Sequence, residues 1–113
     1  MTQRVIELTD FGAAENMRLI EADILTPGPG QIVVKNDAIG LNYLDTYFRS
    51  GLYPWPNQEK IKIPGSEGVG HVYSVGEGVD FLKEGDKVSY VTPVGAYAEY
   101  ALINAAHAVE LKV

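Results

Sequence analysis

The sequence contains no cysteine. That excludes a disulfide framework, thiolate metal sites and a cysteine nucleophile. Histidine is nearly as scarce, with only His71 and His107. They form no H-x₃-H pair, so they read as an ordinary strand residue and a residue of a surface turn, and no metal site is expected. Basic residues are few: nine Lys and Arg stand against fifteen Asp and Glu, a net charge of −6. This is the wrong sign for binding a phosphate backbone, so nucleic acid is not an expected partner. Long hydrophobic runs are missing too. Stretches such as AIGL and YALI fall far short of the roughly 20 apolar residues of a membrane helix, and no membrane partner is expected. The opening MTQRVIELTDF lacks the apolar run of a secretory signal, which makes the cytoplasm the expected compartment.

What is present suits one globular domain. The 113 residues are 46% hydrophobic and 21% charged, close to ordinary globular composition, and wholesale disorder is excluded. Twelve glycines and six prolines favour short strands joined by tight turns. Val5, Ile6 and Leu8 predict an opening strand that stops at Asp10-Phe11-Gly12, and Met17 to Ile24 a second, half-buried one. Thr26-Pro27-Gly28-Pro29-Gly30 must turn, and the β-branched stretch Gln31 to Gly40 predicts a long strand. Tyr43 to Ser50 is the one helical signal, with Asn42 placed to cap it and Gly51 to end it. Leu52 to Ile63 reads as an irregular loop. Further strands are expected at Gly68–Gly76, Lys87–Thr92, Ala96–Ile103 and Ala108–Lys112. The pattern is a mainly β barrel or sandwich with one small helix.

The common phosphate signatures are absent: no G-x-G-x-x-G follows a strand, and no Gly-Lys pair exists for a phosphate-cradling loop. Any nucleotide cofactor would need another domain for most of its binding. Chemistry-bearing residues concentrate instead in Asn42, Tyr43, Asp45, Tyr47, Arg49 and Tyr53. Asn supplies a donor and an acceptor, Tyr a weakly acidic donor, Arg a fixed cation, a set suited to polarising a carbonyl or holding a cofactor amide. The same residues also suit a structural cluster, with a capping Asn, an Asp45–Arg49 ion pair at i,i+4 and tyrosines half in the core. A second dense segment is Pro64-Gly65-Ser66-Glu67-Gly68-Val69-Gly70. Its glycines let the backbone pass close to another element or a ligand. Ser66 lacks a nearby base and the G-x-S-x-G spacing, so a tight turn entering a strand is the simpler reading.

At these segments the sequence resembles the N-terminal catalytic domain of the medium-chain dehydrogenase/reductase superfamily, specifically its zinc-independent quinone oxidoreductases. The resemblance is carried by Ala38 to Tyr53 (AIGLNYLDTYFRSGLY), Pro64-Gly65-Ser66-Glu67-Gly68, Val75-Gly76, Gly85-Asp86-Lys87-Val88 and Gly95-Ala96-Tyr97-Ala98-Glu99-Tyr100, in the family's order and over most of the chain. In the zinc alcohol dehydrogenases of the superfamily, a Cys stands at the position of Asn42 and a zinc-binding His at that of Ser66. Both ligands are missing here, although Glu67 of that motif remains.

The resemblance implies a mainly β, GroES-like, partly open barrel with one or two short helices, spanning residues 1–113 as a catalytic (substrate) domain. In complete members a Rossmann domain follows and binds NADPH, with the active site in the cleft between the two. The chain is therefore expected to be the front part of a longer oxidoreductase, inactive alone and homodimeric when full length. The reaction implied is hydride transfer to a quinone or another conjugated carbonyl compound, with no zinc. On this reading Asn42, Tyr47 and Tyr53 are the catalytic residues, with Asn42 near the nicotinamide or substrate oxygen and the tyrosines shaping the pocket and donating to a developing oxyanion. Asp45, Arg49, Ser66 and Glu67 line the substrate or cofactor pocket, Asp45 holding Arg49 or the helix. Two alternatives are weighed beside it: a zinc-free enone, enal or enoyl reductase on the same scaffold, and a non-enzymatic GroES-like module with a binding or structural role.

Overall fold

The computed structural model describes residues 1–112. The first strand, β1 (Thr2–Leu8), pairs antiparallel with β2 (Met17–Asp23) in a two-stranded sheet, and a 3₁₀ turn, Ala14–Asn16, lies between them. Five more strands form a second antiparallel sheet: β3 (Gln31–Gly40), β4 (Glu67–Val75), β5 (Lys87–Val91), β6 (Tyr100–Asn104) and β7 (Ala108–Glu110). Their order is β6-β3-β4-β5-β7. One α-helix, α1 (Tyr43–Arg49), is inserted between β3 and β4, and a second 3₁₀ turn, Ala105–His107, precedes β7. The barrel is partly open, because the edge strands β6 and β7 do not pair with each other.

The expected mainly β, GroES-like architecture is present, and β3 keeps its expected bounds. It buries Ile32, Val33 and Val34 in succession, so both faces are covered, as an unbroken β-branched run demands. Ile32 and Val34 join Val72, Leu82, Val88, Tyr90, Ala96, Ala101 and Ile103 in the main core. The register of β3 against β4 shifts between Val33 and Val34 and again between Asn36 and Ala38. Asn36 holds the second irregularity: its amide donates to the carbonyls of Ala96 (3.2 Å) and Ala98 (2.9 Å) and accepts from the Tyr90 hydroxyl (2.8 Å).

One expected strand is corrected. Ala96–Ile103 does not run as a single strand; β6 begins only at Tyr100 and reaches Asn104. Residues 96–99 instead bridge the two sheets, held to β3 by Asn36 and to the small sheet by β1. The Ala96 and Tyr97 N–H groups donate to the Gly65 and Pro64 carbonyls, and the Tyr97 carbonyl accepts from the Ile6 N–H at 2.9 Å. Ala98 bridges Val5, and Glu99 accepts from the Arg4 N–H at 2.7 Å, which with the Arg4 guanidinium holds its carboxyl below the usual range. Gln3 exchanges two hydrogen bonds with the Tyr100 backbone. β7 is likewise shorter than expected, ending at Glu110.

Burial pushes the Tyr90 hydroxyl up to about 12, against the lowering effect of its bond to Asn36. Because the folded value exceeds that of the unfolded chain, near 10, this contribution to stability is full below pH 10 and is lost as pH rises towards 12. Urea titrations across that window should show the wild type losing about 2 kcal/mol more than Tyr90→Phe. Parallel losses would mean that Tyr90 is not the titrating group.

Candidate functional site

α1 is short and depends on its ends. Asn42 and Asp45 form a capping box: the Asn42 N–H donates to Asp45 Oδ2 at 3.1 Å, and the Asp45 N–H donates to the Asn42 carbonyl at 3.1 Å. At the other end Gly51 takes φ +84°, a conformation that costs glycine little, and its N–H donates to the Phe48 carbonyl. Phe48 alone among the helix's large side chains enters the core, at 8% exposure. The sequence reading of cap, helix and stop is therefore correct.

The helix and the loop after it bring Tyr47 and Tyr53 together. Tyr47 and Tyr53 are both exposed, and their rings meet at 5.4 Å between centroids with a 57° tilt. The Tyr53 N–H donates to the Tyr47 carbonyl, and Phe48 meets the edge of Tyr53 at 5.6 Å and of Trp55 at 6.3 Å. Tyr43 is 84% exposed and clear of the core, whereas Tyr47 and Tyr53, at 38% and 43%, are more than half covered. Tyr47 and Tyr53 form an open aromatic corner, and Asn42, also exposed, offers an amide at the start of the same helix. Such a corner can flank a planar ring and hydrogen-bond a carbonyl oxygen.

The expected Asp45–Arg49 ion pair is absent, and the reason is competition. Asp45 is buried, and its Oδ2 already accepts from Asn42 and from the Tyr97 hydroxyl at 2.5 Å. Arg49 turns away: its Nε donates to the Gly12 carbonyl at 3.0 Å, while the Gly12 N–H donates to the Arg49 carbonyl at 2.8 Å. Asp45 thus holds the helix rather than Arg49. Tyr97 was not singled out by its chemistry in the sequence, since its partner lies 52 residues away. The signal that could have found it is Gly65, which takes φ +103° and has the Tyr97 ring packed where a side chain would stand.

Ser66 is buried at the entry to β4, its carbonyl accepting from the Thr92 N–H. Glu67 opens β4 opposite Gly40, and its side chain crosses the space a Cβ there would occupy. Ser66 follows Gly65, against which the Tyr97 ring packs, whereas the Glu67 side chain lies against Gly40. His71 lies on β4 and pairs with Asp37 at 3.1 Å, and His107 ends an exposed 3₁₀ turn. A cavity of about 460 Å³ lies elsewhere, walled by Leu25, Ile61, Ile63, Val94 and Leu102. None of the expected site residues lines it, and two of its polar residues, Gln3 and Thr92, are hydrogen-bonded within the chain.

Residues 28–113 match the alcohol dehydrogenase GroES-like domain family. A quinone oxidoreductase of Pseudomonas aeruginosa is 45% identical over 83% of this chain, and a probable quinone oxidoreductase of Schizosaccharomyces pombe is 42% identical over 88%. The chain spans only 29% and 30% of their lengths. Among solved structures, a quinone oxidoreductase of Pseudomonas syringae superposes with a TM-score of 0.89 at 41% identity, over 97% of this chain and 34% of that one. The Escherichia coli quinone oxidoreductase complexed with NADPH superposes at 0.77 with 34% identity, over 99% and 33%. The chain belongs to the alcohol dehydrogenase GroES-like domain family, within the medium-chain dehydrogenase/reductase superfamily.

Proposed function

We propose that this chain is the substrate domain of a longer, zinc-free, NADPH-dependent quinone oxidoreductase that works as a cytoplasmic homodimer. The observation that carries the reading is the open aromatic corner of Tyr47 and Tyr53, on a helix that Asn42 begins and that Asp45 holds down from within. The names of the relatives support the quinone as electron acceptor.

The donor set does not suit zinc. Asn42 and Ser66 provide neither thiolate nor imidazole, and Asp45 is committed to Tyr97 and the helix cap. It does suit a nicotinamide and a planar carbonyl compound, because exposed hydroxyl and amide donors stand beside ring faces. The nicotinamide, when bound, supplies the hydride. Within the chain, Asn42 hydrogen-bonds the substrate oxygen or the cofactor amide. Tyr47 and Tyr53 flank the substrate ring, and their hydroxyls stabilise charge that develops on its oxygen. Arg49 contributes a fixed positive charge behind them, and Ser66 and Glu67 border the pocket. Most of the cofactor's contacts belong to a Rossmann domain that residues 1–113 do not supply.

The test is NADPH oxidation by the polypeptide as its gene encodes it, with a naphthoquinone and, separately, a medium-chain enal. Quinone-dependent oxidation is expected. Asn42→Ala should lower kcat/KM about 10–100-fold and Tyr47→Phe about 10-fold. Unchanged turnover in both variants would remove their assigned roles. Turnover of the enal without the quinone would replace this reading with a reductase of activated double bonds.

A further inference from the structure

At seven residues α1 has too few internal hydrogen bonds to fix its own position, yet it carries Asn42, Tyr47 and Arg49. Three attachments fix it. Phe48 enters the core, Arg49 and Gly12 exchange hydrogen bonds, and Asp45 meets Tyr97. The third differs from the others because it holds a buried carboxylate. Asp45 is 6% exposed; Oδ2 has two donors, whereas Oδ1 is enclosed and has no partner.

A carboxylate oxygen without a partner favours any movement of the helix that brings it to water. The Tyr97 hydroxyl opposes that movement, and Tyr97 has little freedom to follow. Its ring lies against Gly65, its N–H donates to the Pro64 carbonyl, and its own carbonyl accepts from Ile6. Burial, then the bond to Asp45 and its negative charge, raise the Tyr97 hydroxyl well above the ordinary tyrosine range, against a smaller effect of Arg49. The group therefore remains a donor.

We propose that Tyr97 is a positioning residue: through Asp45, its hydroxyl holds α1 against the segment that carries Tyr97 and so places Asn42 and Tyr47 for quinone binding. The ligand named here rests on the proposed function, while the hold on the helix rests on the contacts alone.

Tyr97→Phe keeps the ring over Gly65 and removes only the donor. In hydrogen-exchange measurements on the chain, the α1 amides should exchange at least about tenfold faster, with β3 and β4 amides within about twofold of wild type. Naphthoquinone binding is read in parallel from quenching of Trp55, the only tryptophan, which touches Phe48 behind Tyr53. Its affinity should fall about fivefold or more in Tyr97→Phe. In an Asp45→Asn background, where the buried charge is gone, Tyr97→Phe should change either readout less than about twofold. A side chain that merely fills space would show no such rescue. This pair of variants also keeps the test readable if Tyr97→Phe alone unfolds. α1 exchange that stays at the wild-type rate in Tyr97→Phe overturns the proposal. Faster exchange with unchanged quinone affinity overturns the placing role. If wild-type chain shows no quenching while α1 exchange still responds, the hold on the helix is supported and the quinone reading fails.

Discussion

Gly65→Ala is expected to cost about 3 kcal/mol or more and to lower Tm by more than about 10 °C. Two effects combine. The residue sits at φ +103°, where an L side chain is strained, and its new methyl would lie 2.3 Å from the Tyr97 ring and 2.8 Å from the Tyr97 backbone nitrogen. The ring could rotate away, but the nitrogen is bonded to the Pro64 carbonyl and cannot. Adding Tyr97→Ala should therefore recover only part of the loss. Calorimetry on both variants decides the matter: a single variant melting within about 3 °C of wild type would show that the crossing of residues 64–65 and 96–97 is looser than described.

Gly70→Ala should be comparably damaging, about 3 kcal/mol, for a different reason. Its backbone is ordinary, but the methyl would stand 2.1 Å from the Lys35 carbonyl oxygen and 2.9 Å from the Asn36 Cα. Those atoms belong to β3 at the irregularity next to Asn36, so relief requires the two central strands to part. The expected signature is faster hydrogen exchange along β3 and β4 together, with β1 and β2 less affected. An increase confined to β1 and β2 would contradict it.

These two glycines mark the limit of what the chain of letters discloses. Local signals were legible: the β-branched run of β3, the Asn42 cap, the Gly51 stop and the Pro-Gly turn before Gln31 all act within a few residues. So was the pairing of Tyr47 with Tyr53, because a two-turn helix and its exit loop bring their rings together without distant help. Contacts between remote segments were not legible. Residues 96–99 alternate like a strand, yet their hydrogen bonds go to Pro64, Gly65, β1 and the single residue Asn36 of β3, and nothing in the alternation names those partners. Asp45 and Arg49 have the spacing of an ion pair, but Tyr97 and Gly12 outcompete each for the other. A burial argument would have been needed, since an exposed Asp45 would have no reason to prefer a tyrosine.

The closure of β1 by residues 97–100 also has a consequence for how the protein is made. Residues 3–6 find their partners, Tyr97 to Tyr100, only after more than ninety further residues have been polymerised. At ordinary elongation rates that is a delay on the order of 5–20 s, long compared with the microseconds in which a hairpin forms. The β1–β2 hairpin must therefore emerge from the ribosome with one edge unsatisfied. Its exposed Leu19 and its open backbone edge would be available to nascent-chain chaperones throughout that interval. A strand made early in the fold is thus secured late, and slower translation between Gly65 and Tyr100 would lengthen its exposure.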